Sequence, residues 1–139
     1  MSSHREPNII LLRDYDDANT VVAGVLSLKG CKVHKTENAE SCLALVNELR
    51  ANADAVLIKK EIALSGEDIL GRIKKLNPDI ITIALTDNMN NESTLYNVTD
   101  EIVQTPVSAE NLADKILMLL AKKELRKARE TRLKNDPIE

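Results

Sequence analysis

The chain has 139 residues, which is enough for one domain with its own hydrophobic core. Apolar residues make up 43% and charged residues 29%, an ordinary balance for a globular domain, and two Tyr are its only aromatic residues. So few aromatic side chains argue against recognition of single-stranded nucleic acid by base stacking. No apolar run approaches the roughly 18 residues of a membrane span, and residues 1–8 do not read as a signal peptide. We therefore expect a cytoplasmic protein that does not enter a membrane.

The strands are predicted from short apolar runs, and the helices from apolar residues that recur every three or four positions. The predicted strands lie at 9–12, 31–35, 54–59, 80–85 and 101–105, and the predicted helices at 17–29, from Asn38 onwards, at 66–76, at 93–98 and from Ser108 onwards. Gly30 should end the first helix, because glycine is the usual residue just beyond a helix C-terminus. Asn38 and Ser108 have the side chains of N-caps.

The third strand should be the centre of the sheet. Ala55–Ile58 is apolar without alternation, which is typical of a strand buried on both faces. The run ends abruptly at Lys59, and Ser65 is predicted to cap the next helix, with Asp68 as the acid of a capping box. Strands that alternate with helices through short connections predict a doubly wound α/β fold with five parallel strands.

The order and spacing of these elements resemble the receiver domain of response regulators. The resemblance covers residues 8–121 and rests on four segments, Ile9–Asp14, Asp54–Gly66, Ile80–Thr86 and Ile102–Pro106. It implies the flavodoxin-like (CheY-like) sheet, with strand order 2-1-3-4-5. The predicted organisation is then an N-terminal tail over 1–7, the receiver-like domain over 8–121, and a charged helical extension over 122–139.

The resemblance also marks positions where this chain lacks the family's phosphorylation residues. In the family, an acidic pair after the first strand binds Mg²⁺, and here that pair falls on Arg13 and Asp14. The phosphate-accepting aspartate at the end of the third strand is matched by Lys59. Phosphoryl transfer to a carboxylate needs both the carboxylate and a cation that neutralises the incoming charge. We therefore expect neither Mg²⁺ binding nor phosphorylation by the family mechanism, and no cofactor.

Four other positions complete the comparison with the family. Thr86 keeps the hydroxyl residue that ends the fourth strand, and Pro106 keeps the proline that follows the fifth. The family's lysine before that proline is replaced by Thr105, and its aromatic switch residue by Ile102. Cys31, Cys42 and the two His form no metal-ligand spacing, so the sequence predicts no metal site.

Two interpretations of Lys59 are open. In the first, its ammonium pairs with Asp14 and Thr86 and fills the space of the metal and the phosphate, which offsets the cost of a buried charge. In the second, Arg13 and Lys59 form a small cationic pocket that accepts an anion or a partner's carboxylate. We favour the first, because structural ion pairs are more common than ligand sites.

The charge of −3 is unevenly distributed. Residues 122–134 carry seven Lys or Arg against two Glu, a local +5, and residues 135–139 carry −2, which leaves −6 for residues 1–121. We expect this basic segment to be a solvated helical extension. The alternative is a linker helix that contacts a partner, or a short coiled coil. Nucleic-acid binding is not expected, because basic residues without a base-reading motif carry no sequence specificity.

The function predicted from the sequence is a non-enzymatic signalling module that works through protein–protein contact without aspartyl phosphorylation. A protein partner would bind the region of about 93–120 or the basic tail, and a homodimer is a further option. One alternative is a two-component receiver that still accepts phosphate or another anion at a non-standard site. Another alternative is a nucleic-acid-associated regulator with a basic tail.

Overall fold

A computed structural model of the chain describes residues 6–12, 17–63, 68–86, 99–105 and 107–135, with the backbone alone for 17–20 and 131–135. The strands are β1 (Asn8–Leu12), β2 (Lys32–Thr36), β3 (Ala53–Lys59), β4 (Ile81–Thr86) and β5 (Glu101–Gln104). The helices are α1 (Asp17–Leu28), α2 (Ala39–Leu49), α3 (Lys60–Ala63), α4 (Ile69–Leu76) and α5 (Ala109–Asn135). The predicted helix at 93–98 falls outside the described residues.

The five strands form one parallel sheet in the order β2-β1-β3-β4-β5. This order confirms the predicted flavodoxin-like fold. Strand β3 lies between β1 and β4, and Leu57 is in register with Leu11 on one side and with Ile83 on the other. All carboxyl ends of the strands therefore lie at one edge of the sheet, which we call the carboxyl edge, and all amino ends at the opposite amino edge.

Helices cover both faces of the sheet. Helices α1 and α5 pack on one face, where Leu26 and Ile116 are fully buried, and α2 and α4 pack on the other, around Val46 and Ile73. Strand β3 contributes to both cores: Ala55 and Leu57 join the core under α1 and α5, and Val56 and Ile58 join the core under α2 and α4. The prediction that this strand is buried on both faces is therefore confirmed.

Three predicted helix ends have the expected geometry. Asn38 Oδ1 accepts a hydrogen bond from the Ser41 N–H at 2.8 Å, and Ser108 Oγ accepts one from the Asn111 N–H at 3.0 Å. Gly30 follows α1 with φ 94°, a conformation that side-chain-bearing residues rarely adopt. These short-range signals therefore correctly predict the C-terminal end of α1 and the N-terminal ends of α2 and α5.

The predicted helix over 66–76 starts too early. Asp68 has φ 51° and ψ 45°, a left-handed conformation that a right-handed helix cannot contain. Its carbonyl oxygen accepts a hydrogen bond from the Arg72 N–H at 3.1 Å, so Asp68 is the N-cap and α4 begins at Ile69. Asp68 is therefore not the acid of a capping box, and Ser65, the predicted cap, lies outside the described residues.

Helix α5 is 27 residues long and continues past the sheet. Its first turns pack on the sheet through Leu112, Ile116 and Leu120. The helix then passes the amino edge, where Lys127 Nζ lies 3.6 Å from a carboxylate oxygen of Asp79. Across the described ranges, no helix has both the length and the apolar character that crossing a membrane requires.

Asn77, just after α4, ties this helix to the start of β3. Its side-chain amide donates hydrogen bonds to the carbonyl oxygens of Arg50 at 2.9 Å and Ala53 at 2.8 Å. Its Oδ1 accepts one from the Asp79 N–H at 3.1 Å, and the residue is only 4% exposed. One side chain therefore contacts three backbone groups around the junction between α4 and the start of β3.

We predict that Asn77→Ala destabilises the fold by about 2–4 kcal/mol, because two carbonyl oxygens and one N–H lose buried or half-buried partners. Asn47→Ala, an exposed change within α2, is the matched control and should alter the free energy of unfolding by less than about 0.5 kcal/mol. Urea unfolding of both variants checks this. Equal stability of Asn77→Ala and the wild type would show that the three hydrogen bonds contribute nothing net.

Candidate functional site

The structure brings three of the predicted site residues to the carboxyl edge. Lys59 is the last residue of β3, Thr86 is the last residue of β4, and Thr105 directly follows β5. We call this group the strand-tip site. Arg13, Asp14 and Pro106, which the sequence places at the same edge, lie outside the described residues.

The two threonines of the strand-tip site are joined through the backbone. The Thr105 N–H donates a hydrogen bond to the Thr86 carbonyl oxygen at 2.7 Å, and the Thr105 hydroxyl donates to the same oxygen at 3.3 Å. Thr86 is 2% exposed, and Lys59 is half-buried. Neither Lys59 nor Thr86 is without an interaction partner. The Thr105 hydroxyl therefore contacts the end of β4.

Ile102, which the resemblance matches to the family's aromatic switch residue, belongs to the core. It is 9% exposed and packs in the cluster under α2 and α4 that also contains Ile58 and Ala84. An aliphatic side chain in such a cluster is held by close packing on several sides.

No protein-family model and no curated protein matches the chain. Solved structures do match. NtrX from Brucella abortus, in complex with ADP, is 23% identical with a TM-score of 0.77, over 97% of this chain and 31% of that one. A CheY-like receiver domain protein from Methanospirillum hungatei is 21% identical with a TM-score of 0.71, over 88% of this chain and 99% of that one.

The chain has the fold of a response regulator receiver domain. A protein described as adenylate cyclase from Rhodopirellula baltica shares the same architecture, at 15% identity and a TM-score of 0.76, over 95% of this chain and 100% of that one. The TM-scores, from 0.71 to 0.77, indicate the receiver fold. Sequence identities of 15% to 23% do not assign an activity. The chain spans about a third of the NtrX chain that it matches.

Neither a cluster of metal-binding side chains nor an exposed thiol is present in the part of this receiver fold that the structure describes. Across those ranges, no three His, Cys, Asp or Glu side chains are close enough together to hold a metal ion. Cys31 and Cys42 are free and buried. Burial raises the pKa of the Cys42 thiol to about 11, against the opposing effect of a hydrogen bond with Thr36, so this thiol is a poor nucleophile.

A polar cluster that the sequence did not predict lies at the opposite, amino edge. Asp100, just before β5, accepts hydrogen bonds on Oδ2 from Lys74 Nζ at 2.8 Å, the Thr82 N–H at 2.8 Å and the Thr82 hydroxyl at 3.1 Å. The Asp100 N–H donates to the Thr82 carbonyl oxygen at 3.0 Å. Lys74 Nζ also donates to the Ile80 carbonyl oxygen at 2.6 Å. This cluster joins α4, β4 and the start of β5.

The Asp100 carboxylate is held in its charged form. Burial alone would raise the pKa of this carboxyl, but the hydrogen bonds and the positive charge of Lys74, together with the bonds from Thr82, lower it below the ordinary 3.8. No short-range sequence pattern predicts this cluster, because its residues Lys74, Thr82 and Asp100 belong to three separate parts of the fold. The one available signal is Asp100 directly before a predicted strand.

We predict that Asp100→Asn destabilises the fold by about 1 kcal/mol at pH 7, a modest loss because the pair with Lys74 is half exposed and screened by water. The folded-state pKa is lowered, so this contribution is present above pH 3.8 and is lost as the pH falls through the folded-state value. The stability difference from the wild type should therefore shrink in acid. Urea unfolding as a function of pH measures it.

The control for this prediction is Asp114→Asn, which alters a more exposed ion pair with Lys29 at 3.4 Å. Its effect on stability at pH 7 should be smaller than that of Asp100→Asn. A difference between Asp100→Asn and the wild type that stays constant from pH 7 to pH 3 would contradict the assignment.

Proposed function

We propose that the protein is a receiver-like signalling module that works through protein–protein contact and does not receive a phosphoryl group on aspartate. The receiver fold supports a place in two-component signalling, and the carrying observation is Lys59 at the tip of the central strand. The proposal includes no enzymatic activity. The adenylate cyclase description applies to the Rhodopirellula protein.

The chemistry of Lys59 supports the absence of phosphorylation. An acyl-phosphate forms on a carboxylate oxygen, and an ammonium group offers no such oxygen. Mg²⁺ prefers oxygen ligands, typically one or two carboxylates besides water and phosphate, and a cation at the tip of β3 opposes its binding. The residues of the strand-tip site therefore do not fit Mg²⁺. Thr105 adds to this, because its hydroxyl, bonded to Thr86, supplies no positive charge for a phosphorylated product.

We predict that the wild-type chain gains no mass when incubated with acetyl phosphate and Mg²⁺. Intact-protein mass spectrometry under non-acidic conditions measures the gain of a phosphoryl group. The triple variant Arg13→Asp/Lys59→Asp/Thr105→Lys is the matched control and should gain one phosphoryl group, because it restores the two carboxylates and the cation that the reaction requires. A phosphoryl group on the wild-type chain would overturn the proposal and favour acceptance at a non-standard residue.

The described part of the predicted contact region offers a surface on α5. Met118 and Leu125 are 43% and 65% exposed, although both are large apolar residues. They are seven residues apart, so they lie on one face of the helix about 10 Å from each other. Ala121 and Ala128 fall between and after them at the spacing of a coiled-coil seam, in which such positions face the partner helix.

The charges beside this seam favour a second copy of the chain as the partner. In a parallel pair of helices, a residue beside the seam meets the residue five positions later on the partner helix. Glu124 and Arg129 have this separation and opposite charges, and both are exposed. We therefore propose that α5 mediates a parallel homodimer through Met118 and Leu125.

We predict that the wild-type chain shows a concentration-dependent increase in mass toward a dimer, and that Leu125→Glu remains a monomer at the same concentrations. The reason is that the variant places two negative charges opposite each other in an apolar seam. Light scattering coupled to size-exclusion chromatography measures both. Leu28→Glu, the same change at an 89% exposed leucine on α1, should leave the mass unchanged. A wild-type monomer at all concentrations would contradict the dimer.

A further inference from the structure

A groove of about 630 Å³ lies at the amino edge, between the α4–β4 connection and the part of α5 that passes the sheet. Its volume is within the roughly 300–1,000 Å³ range of small-molecule sites. Part of its lining is apolar, from Ile80, Ile81 and Leu119. The groove lies at the opposite end of the sheet from the strand-tip site, about 17 Å away along β4 at the usual rise per residue.

The charges that line the groove do not balance. Five cationic side chains, Lys74, Lys122, Lys123, Arg126 and Lys127, face three carboxylates, Asp79, Asp100 and Glu130. Two of the cations have carboxylate partners, since Lys74 pairs with Asp100 at 2.8 Å and Lys127 with Asp79 at 3.6 Å. Lys122, Lys123 and Arg126 then share a single remaining carboxylate.

Lys123 is the unusual member of this set. It is 8% exposed, whereas its neighbours on α5 from Lys122 to Glu130 are exposed. Within the described ranges, no carboxylate lies within 4 Å of its ammonium group, and no hydrogen bond satisfies it. Burial lowers the pKa of Lys123, and the positive charges of Lys127 and Lys74 lower it further, while Asp54 and Asp79 act in the opposite direction. A buried cation without a close partner is costly unless an anion neutralises it.

We propose that this groove binds a small phosphate-bearing anion, with Lys123 and Arg126 as its principal ligands. The two residues are three positions apart on α5, so they project from the same side of the helix. A guanidinium and an ammonium are the groups that proteins use to hold phosphate, through a bidentate contact and a point charge respectively. Lys122, one turn before Arg126, adds a third cation at the rim.

The shape and charge of the groove favour a small anion over a nucleic acid. A polyanion that followed α5 would use the basic residues along the whole helix and would meet the carboxylates of Asp79 and Glu130. A small phosphate-bearing anion needs only the few cations that Lys122, Lys123 and Arg126 supply. The proposal concerns the amino edge and does not depend on the absence of phosphorylation at the strand-tip site.

Isothermal titration of the full chain with inorganic pyrophosphate, at constant ionic strength, tests the proposal. We expect saturable binding at one site. Lys123→Met removes the positive charge and keeps a buried apolar side chain of similar length. It should weaken pyrophosphate binding roughly tenfold or more, because losing a charged contact of about 1.4 kcal/mol lowers the affinity tenfold. Arg126→Gln, at an exposed position, should also weaken binding and decides the question if Lys123→Met does not fold. Lys123→Arg should retain it.

Two controls separate this site from other cationic surfaces. Lys75→Met removes a positive charge from an exposed position of α4 outside the groove lining, and Lys59→Met removes the cation of the strand-tip site. Both should bind pyrophosphate as the wild type does. Absence of saturable binding overturns the proposal, as does an equal loss in Lys75→Met, which would indicate diffuse attraction. Loss in Lys59→Met would place the anion at the carboxyl edge. Binding of duplex DNA that is tighter than binding of pyrophosphate would indicate a nucleic-acid surface.

Discussion

The burial of β3 on both faces is the constraint on which the rest of the structure depends. Ala55, Val56, Leu57 and Ile58 are each at most 2% exposed, so no polar side chain can be accommodated along the middle of this strand. Polar groups are therefore confined to its two ends. The chemistry of the domain divides accordingly between the amino edge and the carboxyl edge of the sheet.

At the amino edge, side chains replace the hydrogen bonds that the ends of parallel strands leave unmade. Asn77 serves the start of β3, and Asp100 serves the start of β4 and the connection to β5. The Asn8 N–H donates to Asp54 Oδ2 at 2.7 Å, and Asn8 Oδ1 accepts from His34 Nε2 at 2.9 Å, which links β1, β2 and β3. Backbone groups at such ends are costly to leave without partners, and this explains why so many polar side chains converge there. The groove beside Lys123 lies next to this satisfied network.

At the carboxyl edge, Lys59 ends the central strand, at the position that the resemblance to receiver domains matches to the phosphate-accepting aspartate. The sheet and its two helical layers persist, because the cores under α1 and α5 and under α2 and α4 do not depend on the residue at that tip. The receiver fold is thus compatible with a lysine at the tip of β3. A module of this kind would carry its signal on its surfaces, and the exposed apolar residues of α5 and the cationic groove are the two surfaces that the structure singles out.

The sequence by itself determined the alternation of strands and helices, the burial of β3 and the caps at Asn38 and Ser108, because these follow from apolar periodicity and from side chains within a few residues of one another. The strand order was predicted only through the resemblance to receiver domains. The sequence also identified Lys59 at the tip of β3, since that position depends only on where an apolar run ends. The start of α4 was misplaced, because the left-handed backbone of Asp68 is not encoded in a hydrophobic pattern. Only the tertiary structure decided the Asp100 cluster and the burial of Lys123. Both bring together residues from distant parts of the chain, and Lys123 is buried because α5 passes the amino edge beside the loop that precedes β4.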